Sequence, residues 1–531
     1  MQKVKTDFTD LLAKSPSSPE EQQAYIQELR TAVTDLVAEV HNLDEIVALL
    51  RKKQFGSSSE KTPYEEAEQL ELGWFNEGED AAKEEVLEPA KQDKRGLHIR
   101  KPDGKWKLEK LPVKEIPLTL NAGQLVCKKC GTQMVPIGKE VVRESLQFIP
   151  ASVCVLRYVR TVYGCPQCKK SGSANIMKPV VPPPLLNHSM ASASTVAEVM
   201  YQKYVNAVPL YRQEKDWAER GVGLTRGTMA NWMIRCAEDW LYPVTEHLHK
   251  QMLQREVLHC DETPVQVLKE PGKTATSKSY MWLYRTGADG LPPIVLYDYH
   301  PDRKGENAVR YLKGFHGYLH TDGYAGYDQV KGVTRCGCWA HVRRKFVEAM
   351  PTTTNSKVKS SAQVGRDYCD RLFATEKQLA ELLPQEKKHM RTELEVPQLQ
   401  AFWSWLDTVE ALPGSSLGKA VQYAQKQHPV LENYLLDGRC SISNNLAENA
   451  IRPFTVGRKN WLFSDTPAGA ASSAAIYSLV ETAKANGWIV RSYLTFLLEQ
   501  LPRLNFRMHP ERLDMVMPWS GFAKTAAKQV E

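Results

Sequence analysis

A chain of 531 residues with 42% hydrophobic and 25% charged content is long enough to bury several cores, and its net charge of +7 suits a polyanionic partner without requiring one. No run approaches the ~20 apolar residues of a membrane helix, and residues 1–19 lack the charged-then-apolar order of a secretion signal, so a cytoplasmic protein without membrane contact is expected. Eleven cysteines, an odd number without such a signal, argue for thiols and metal ligands over a disulfide framework.

In chain order, residues 1–55 carry the first organised pattern. Ile26, Leu29, Val33, Leu36, Val40, Leu43, Val47 and Leu50 alternate steps of three and four, a heptad seam that predicts a parallel coiled-coil dimer. Residues 56–115 read as a charged linker and basic arm. From Glu60 to Ala90 eleven acids face two bases, which favours a solvated segment, whereas Lys91 to Lys114 has nine bases against three acids and is suited to tracking phosphates.

Residues 116–180 hold Cys127-Lys-Lys-Cys130 and Cys165-Pro-Gln-Cys168. The gap of 34 residues (165 minus 130 minus 1) is long for a zinc site, yet alternating Val141–Ile149 and Val153–Tyr163 predict a hairpin that returns the second pair to the first. Four thiolates without histidine predict a closed, structural zinc in a zinc-ribbon-like module. Over 185–250, helical stretches at Ala193–Lys203, Pro209–Arg220 and Thr225–Leu241 flank the turn Gly221-Val-Gly-Leu224 and suggest a helix-turn-helix. Thr225, Arg226, Thr228 and Asn231 are its side chains able to reach bases or phosphates, although the module reads equally as a packing element.

From 255 to 350 the pattern becomes mixed. Strands are expected around Val257–Leu268, Ser279–Tyr284 and Pro293–Asp298, then a helix at Arg303–Phe315, a strand ending at Asp322, a short Tyr-rich helix, a strand at Val333–Cys338 and a helix at Ala340–Met350. That order matches the ribonuclease H topology. Residues 351–440 turn polar and helical, an all-α insertion. Residues 441–500 return to the core with a helix capped by Ser443 and carrying Glu448, and 501–531 read as a tail. Two strand ends and a helix aim Asp261, Asp322 and Glu448 at one point. The whole is expected to be multidomain α+β, with a ribonuclease H-like catalytic domain interrupted by the insertion.

The strings His259-Cys-Asp-Glu-Thr-Pro264, His320-Thr-Asp-Gly-Tyr-Ala-Gly-Tyr327, Cys338-Trp-Ala-His-Val-Arg-Arg-Lys-Phe346, Asn444-Asn-Leu-Ala-Glu-Asn-Ala-Ile-Arg-Pro453 and Gly457-Arg-Lys-Asn-Trp-Leu-Phe463 resemble the signature blocks of bacterial transposases of the insertion sequence 66 family. The resemblance runs over nearly the whole chain. It implies a DDE transposase acting on the DNA of element ends and target, assembled at least as a dimer, with accessory proteins of the same element as further partners.

Phosphodiester chemistry needs a stabilised leaving oxygen and a deprotonated attacker. Two Mg²⁺ (or Mn²⁺) ions per site supply both and demand oxygen ligands, so Asp261 is expected to bridge the ions, with Asp322 and Glu448 holding one each. Glu262, next to Asp261 in a strand, is expected to face away. Cys338 and His341 lack a second pair for a zinc site, so His341 is expected beside the acids, touching phosphate or metal-bound water. Asn445 and Arg452 share the helix face of Glu448, one to orient it and the other to meet the scissile phosphate. Arg343, Arg344, Lys345, Arg458 and Lys459 are candidate DNA contacts, each also explicable as a solvated basic face. Two other readings share these features: a ribonuclease H-fold nuclease or resolvase without strand transfer, and a non-catalytic DNA-binding relative of a transposase.

Overall fold

The computed structural model describes residues 18, 19, 21–30, 153–159, 163, 164, 176, 177, 180–351 and 359–527. Cys127, Cys130, Cys165 and Cys168, and the heptad positions from Val33 onward, lie outside the described residues. Residues 21–30 are helical, entered through a capping box in which the Glu21 amide donates to Ser18 Oγ and the Ser18 amide to Glu21 Oε2, both at 3.2 Å; the seam residue Ile26 is half exposed. The chain divides into a unit of residues 87–159 and a unit of the rest. Of the first, the described stretch 153–159 is neither helix nor strand and is exposed.

In the larger unit, helices α1 (Ala193–Tyr204), α2 (Leu210–Glu219), α3 (Arg226–Cys236) and α4 (Tyr242–Met252) lead into the sheet. Gly221, at φ +78°, supplies the left-handed turn between α2 and α3. Thr225 caps α3 by accepting from the Thr228 amide at 3.2 Å, so the helix starts at Arg226, one residue past where the sequence pattern starts it.

The sheet is built from β1 (Val257–Val267), β2 (Lys278–Thr286), β3 (Val295–His300), β4 (Tyr318–His320) and β5 (Thr334–Cys336) in the order β3-β2-β1-β4-β5. The first three are antiparallel, while β4 and β5 run parallel to β1. The connecting helix α5 covers only Gly305–Tyr311, shorter than predicted, and α6 covers Trp339–Glu348.

The insertion is helical throughout its described part: α7 (Ser361–Gln378), α8 (Pro384–Leu394), α9 (Val396–Leu406) and α10 (Ser416–Leu431). It packs a core of its own, with Phe402, Leu406, Ala420 and Leu431 closing on Trp339 and Phe346 of α6. Helix α11 (Asn445–Trp461) then returns to the sheet, followed by a short strand β6 (Phe463–Ser464) parallel to the end of β1, and by α12 (Pro467–Ala485) and α13 (Val490–Gln500).

One hydrophobic core runs from α1 through the sheet to α12 and α13, so the helical module of 185–250 shares its interior with the sheet. The stretch expected to be a tail is also built in: Leu501, Leu504, Phe506, Leu513, Val516 and Met517 are buried in that core, and α14 (Gly521–Ala527) ends the described chain. The edge strand β3 is sealed by hydroxyls of α12. Thr482 Oγ1 accepts from the Val295 amide at 3.0 Å and donates to its carbonyl at 2.8 Å, and Ser478 Oγ accepts from the Tyr297 amide at 2.7 Å.

Candidate active site

Register places the first two acids. In the parallel pair β1/β4, His259 stands opposite His320, and their rings stack at 4.3 Å. Asp261 and Asp322 each follow two residues later, just past the paired stretch, and the charge of Asp322 acts on Asp261, so the two carboxylates lie near each other. β4 ends at His320, and β6 meets β1 again only at Gln266. Asp261 therefore sits where β1 has lost its neighbour on that side, a gap that leaves room in front of both carboxylates. Asp261 and Asp322 keep part of their surface open to solvent.

The third acid comes from α11. Asn444, not Ser443, stands at the N-cap, and its side chain is spent on the sheet instead of the helix. Its Nδ2 donates to the Cys260 carbonyl at 2.8 Å, which turns Oδ1 toward His259 Nδ1 at 3.1 Å and fixes the proton on that nitrogen. Burial pushes the His259 imidazole down to about 3, so it stays neutral. The Asn444 amide also donates to Cys338 Sγ at 3.2 Å. One asparagine thus ties the strand of Asp261 and the helix α6 to the first turn of α11, where Glu448 lies 2% exposed.

Around Glu448 the side chains come from α6. His341 Nδ1 is 3.5 Å from Oε1, Arg344 Nη2 is 3.8 Å from Oε2, and Cys338 Sγ is 4.0 Å from Oε1. Burial, then Arg344 and Lys345, hold the His341 imidazole well below its usual range, so it is neutral. The ligand atoms of Cys338, His341 and Glu448 lie within 4.8 Å of one another, close enough to hold a cation.

Electrostatics set this site apart. Burial raises Asp261 well above the usual carboxylate range, and Glu262, Asp322 and Glu448 raise it further, opposed by the Glu262 amide donating to Oδ1 at 2.8 Å. Burial also raises Asp322, against the Tyr324 amide and the charges of Arg303, Arg335 and Arg344. Oxygen-only donors that repel one another are a fit for a hard divalent cation, whose charge would reverse that repulsion.

Other expected residues fall in different places. Glu262 is bonded to Tyr327 Oη at 2.5 Å and Arg303 Nε at 2.8 Å, yet its charge is the largest acting on Asp261, so it is coupled to the site that strand parity turns it away from. Burial pushes it up to about 7. Arg343 is buried and pairs with Asp370 of the insertion at 2.5 Å. Arg344 belongs beside Glu448. Lys345 pairs with Glu348 at 3.1 Å. Arg458 donates to Thr263 Oγ1 at 3.1 Å and to the Pro264 carbonyl, fastening α11 to β1, while Lys459 is exposed. Asn445 is buried in the turn of Glu448 and Arg452 is half-buried one turn on. Thr225, Arg226, Thr228 and Asn231 are all exposed on α3 or its cap.

The insertion also reaches the site. A Cβ at Gly323, next to Asp322, would meet Tyr423 Cε2 of α10 at 2.9 Å, so glycine permits the insertion to close over that turn. Tyr423 was not anticipated, because nothing local in α10 marks which face meets Asp322.

Compared with known proteins, residues 188–472 match the profile of the transposase IS66 family, a span of 285 of the 531 residues that contains Asp261, Asp322 and Glu448. Residues 124–169 match the zinc-finger binding domain of transposase IS66, a span that holds all four cysteines of the paired motif. Residues 42–116 match a profile described as transposase C of IS166 homeodomain. Similar proteins include the uncharacterized proteins y4qI and y4jD of Sinorhizobium fredii. The first is 28% identical over 406 residues, 73% of this chain and 72% of the relative. The second is 25% identical over 512 residues, 93% and 96% of the two chains. None of the described helices is long and apolar enough to cross a membrane.

Proposed function

This chain belongs to the IS66 transposase family, and we propose that it binds the ends of its element and cuts and joins DNA strands at Asp261, Asp322 and Glu448. The observation that supports this reading is the convergence of acids from three elements: Asp322 and Glu448 both act on Asp261, and Asn444 ties the helix of Glu448 to the strand of Asp261. The strand order β3-β2-β1-β4-β5, three antiparallel strands followed by two parallel ones, supports a ribonuclease H-like core with the insertion between α6 and α11.

In this reading the three acids hold Mg²⁺ or Mn²⁺, which when bound supplies Lewis acidity and lowers the pKa of an attacking water or 3′ hydroxyl. The remaining groups belong to the chain. Asn444 and His259 fix the helix that carries Glu448 against the strand that carries Asp261. Arg344 steadies Glu448 and keeps a positive charge where a phosphate would enter. Neutral His341 can accept or donate a hydrogen bond without adding a charge. Glu262 stays with Arg303 and Tyr327, outside the ligand set, and holds the turn after Asp322 through Tyr327.

The same reading assigns Cys127, Cys130, Cys165 and Cys168 to one structural zinc, the heptad seam to dimerisation, and Thr225, Arg226, Thr228 and Asn231 to DNA. A mating-out transposition assay with native flanking DNA tests the core of it. Transposition by wild type and none by Asp261→Ala is expected. Equal transposition by both would overturn the assignment of the acids, and cleavage without joining by wild type would favour a nuclease.

A further inference from the structure

Behind the acids lies a second cluster that the proposed chemistry does not use. His320 and Cys336 are direct partners in the parallel ladder β4/β5, so their side chains share a face. Cys440 arrives from the loop after the insertion. All three are buried, at 0%, 0% and 1% exposure, and one donor atom from each lies within 4.8 Å of the other two. The His320 ring is uncommitted: Nδ1 is buried with no hydrogen-bond partner among the described residues, and Nε2 has only the Ser441 amide, at 3.4 Å. An imidazole nitrogen left unpaired in a dry interior is destabilising unless something occupies it. The loop that delivers Cys440 is itself held firmly, because Arg391 donates to the carbonyls of Tyr434, Asp437 and Cys440 at 2.8 to 3.0 Å.

We propose that His320, Cys336 and Cys440 bind a thiophilic closed-shell ion, Zn²⁺ or Cu⁺, as a structural staple distinct from both the carboxylate site and the paired-cysteine motif. Two thiolates and an imidazole are a donor set that soft and borderline ions prefer and that Mg²⁺ avoids. On binding, each thiol loses its proton to solvent, two metal–sulfur bonds and one metal–nitrogen bond form, and no electron is transferred. With Zn²⁺ the two thiolates and the neutral imidazole make a site of zero net charge, which suits its burial. The three ligands come from three chain segments. His320 lies two residues before Asp322, Cys336 two before Cys338, and Cys440 eight before Glu448. An ion here ties the end of β4 and the end of β5 to the loop that launches α11, and so fixes Glu448 relative to Asp322 after the chain returns from the insertion.

The test is a metal count on full-length protein purified without chelator, by elemental mass spectrometry, which also separates zinc from copper. Wild type is expected to hold about one thiophilic ion per chain more than Cys336→Ala or Cys440→Ala. The double variant Cys127→Ala/Cys130→Ala should lose a different ion, with the losses additive. Cobalt loaded into the Cys127→Ala/Cys130→Ala protein should give a thiolate-to-cobalt charge-transfer band that Cys440→Ala abolishes. Equal metal in wild type and Cys440→Ala overturns the proposal. So does a wild-type total of one ion that Cys127→Ala/Cys130→Ala removes, or of none, which decides the matter even if the single variants fail to fold. A Cys336–Cys440 disulfide in freshly isolated protein would overturn it as well. None of these readouts depends on strand transfer, so failure here and failure of the transposition assay are separable.

Discussion

Glu376 and Glu395 in the insertion are buried as deeply as Glu448 at the sheet, at 9%, 0% and 2% exposure, yet their surroundings differ in kind. Glu376 accepts from Arg391 Nε at 2.5 Å and Nη2 at 2.9 Å, and Lys387 stands 3.0 Å away. Burial opposes its charge, but Arg391 and then Lys387 outweigh burial and hold Glu376 below the usual range. Glu395 accepts from Tyr434 Oη at 2.7 Å and is pushed up to about 8, first by burial and then by Glu376, so near neutral pH it is protonated. That group balances itself. At the sheet the strongest charges acting on Asp261 are all acids. A buried charge network that closes on itself holds a fold together, whereas one that does not close asks for a cation from outside.

Removing an acid from the open network should have the largest effect. Glu448→Gln keeps the shape and removes one ligand charge, and strand transfer is expected to fall by at least ~10³-fold while binding to element ends stays within about twofold. A gel-shift and a strand-transfer assay on the same preparation check this. If binding and transfer fell together, the acid would be part of the fold instead of the chemistry.

In the closed network, Arg391→Met should act on stability first. It strands Glu376 and frees three carbonyls, a loss of about 3–5 kcal/mol by denaturant unfolding. Adding Glu376→Met should restore a large part of it, because the uncompensated charge goes too. A double variant no more stable than the single one would show that the carbonyl bonds, not the ion pair, carry the effect.

Two smaller effects follow from the raised carboxylates. For Glu395, whose folded value of about 8 exceeds the ordinary 4.5, the stabilising contribution is fully present below about 4.5 and is lost as pH rises toward 8. Glu395→Gln should therefore melt above wild type at pH 9 and lose that advantage toward pH 5. Asp261 follows the same sign without divalent metal: its raised carboxyl destabilises the fold as pH rises. Asp261→Asn should raise the metal-free melting temperature by a few °C, roughly. It should also weaken stabilisation by Mg²⁺, which in wild type opposes the pH trend.

Much of the open network was legible in sequence because strand parity is local. Asp322 could be set just past a strand end from alternation and turns, and the helical insertion from the loss of that alternation, whereas Asp261, also expected at a strand end, lies within β1, the fifth of its eleven residues. The strand order and the shared register are not local properties, and no run of residues announces them. The place of Arg344 beside Glu448 was not anticipated for a similar reason, although a signal existed: Cys338, His341 and Arg344 recur every three residues, one face of a helix, and that face meets Glu448. Ser443 was favoured as a cap because serine is a good one, but Asn444 takes the position and spends its side chain on Cys260 and His259. Residues 501–516 carry their apolar side chains through two 3₁₀ turns without a helical period, so a buried segment resembled a tail.

The smallest expected effect lies outside both networks, on the exposed face of α3. Asn231 and Arg226 are solvent-exposed and free of the constraints that bury Arg343. If α3 enters a groove, Arg226→Ala should reduce the slope of log affinity against log salt by about 0.9, the signature of one lost phosphate contact, whereas Asn231→Ala should leave the slope alone and narrow the preference for element ends over random DNA. Ser192→Ala is the control for packing, since it removes the cap on α1, where no DNA contact is assigned, and acts through stability, at about 1 kcal/mol. Unchanged slope and preference in the first two variants, with only the cap variant altered, would return α3 to a supporting role beside the sheet whose core it shares.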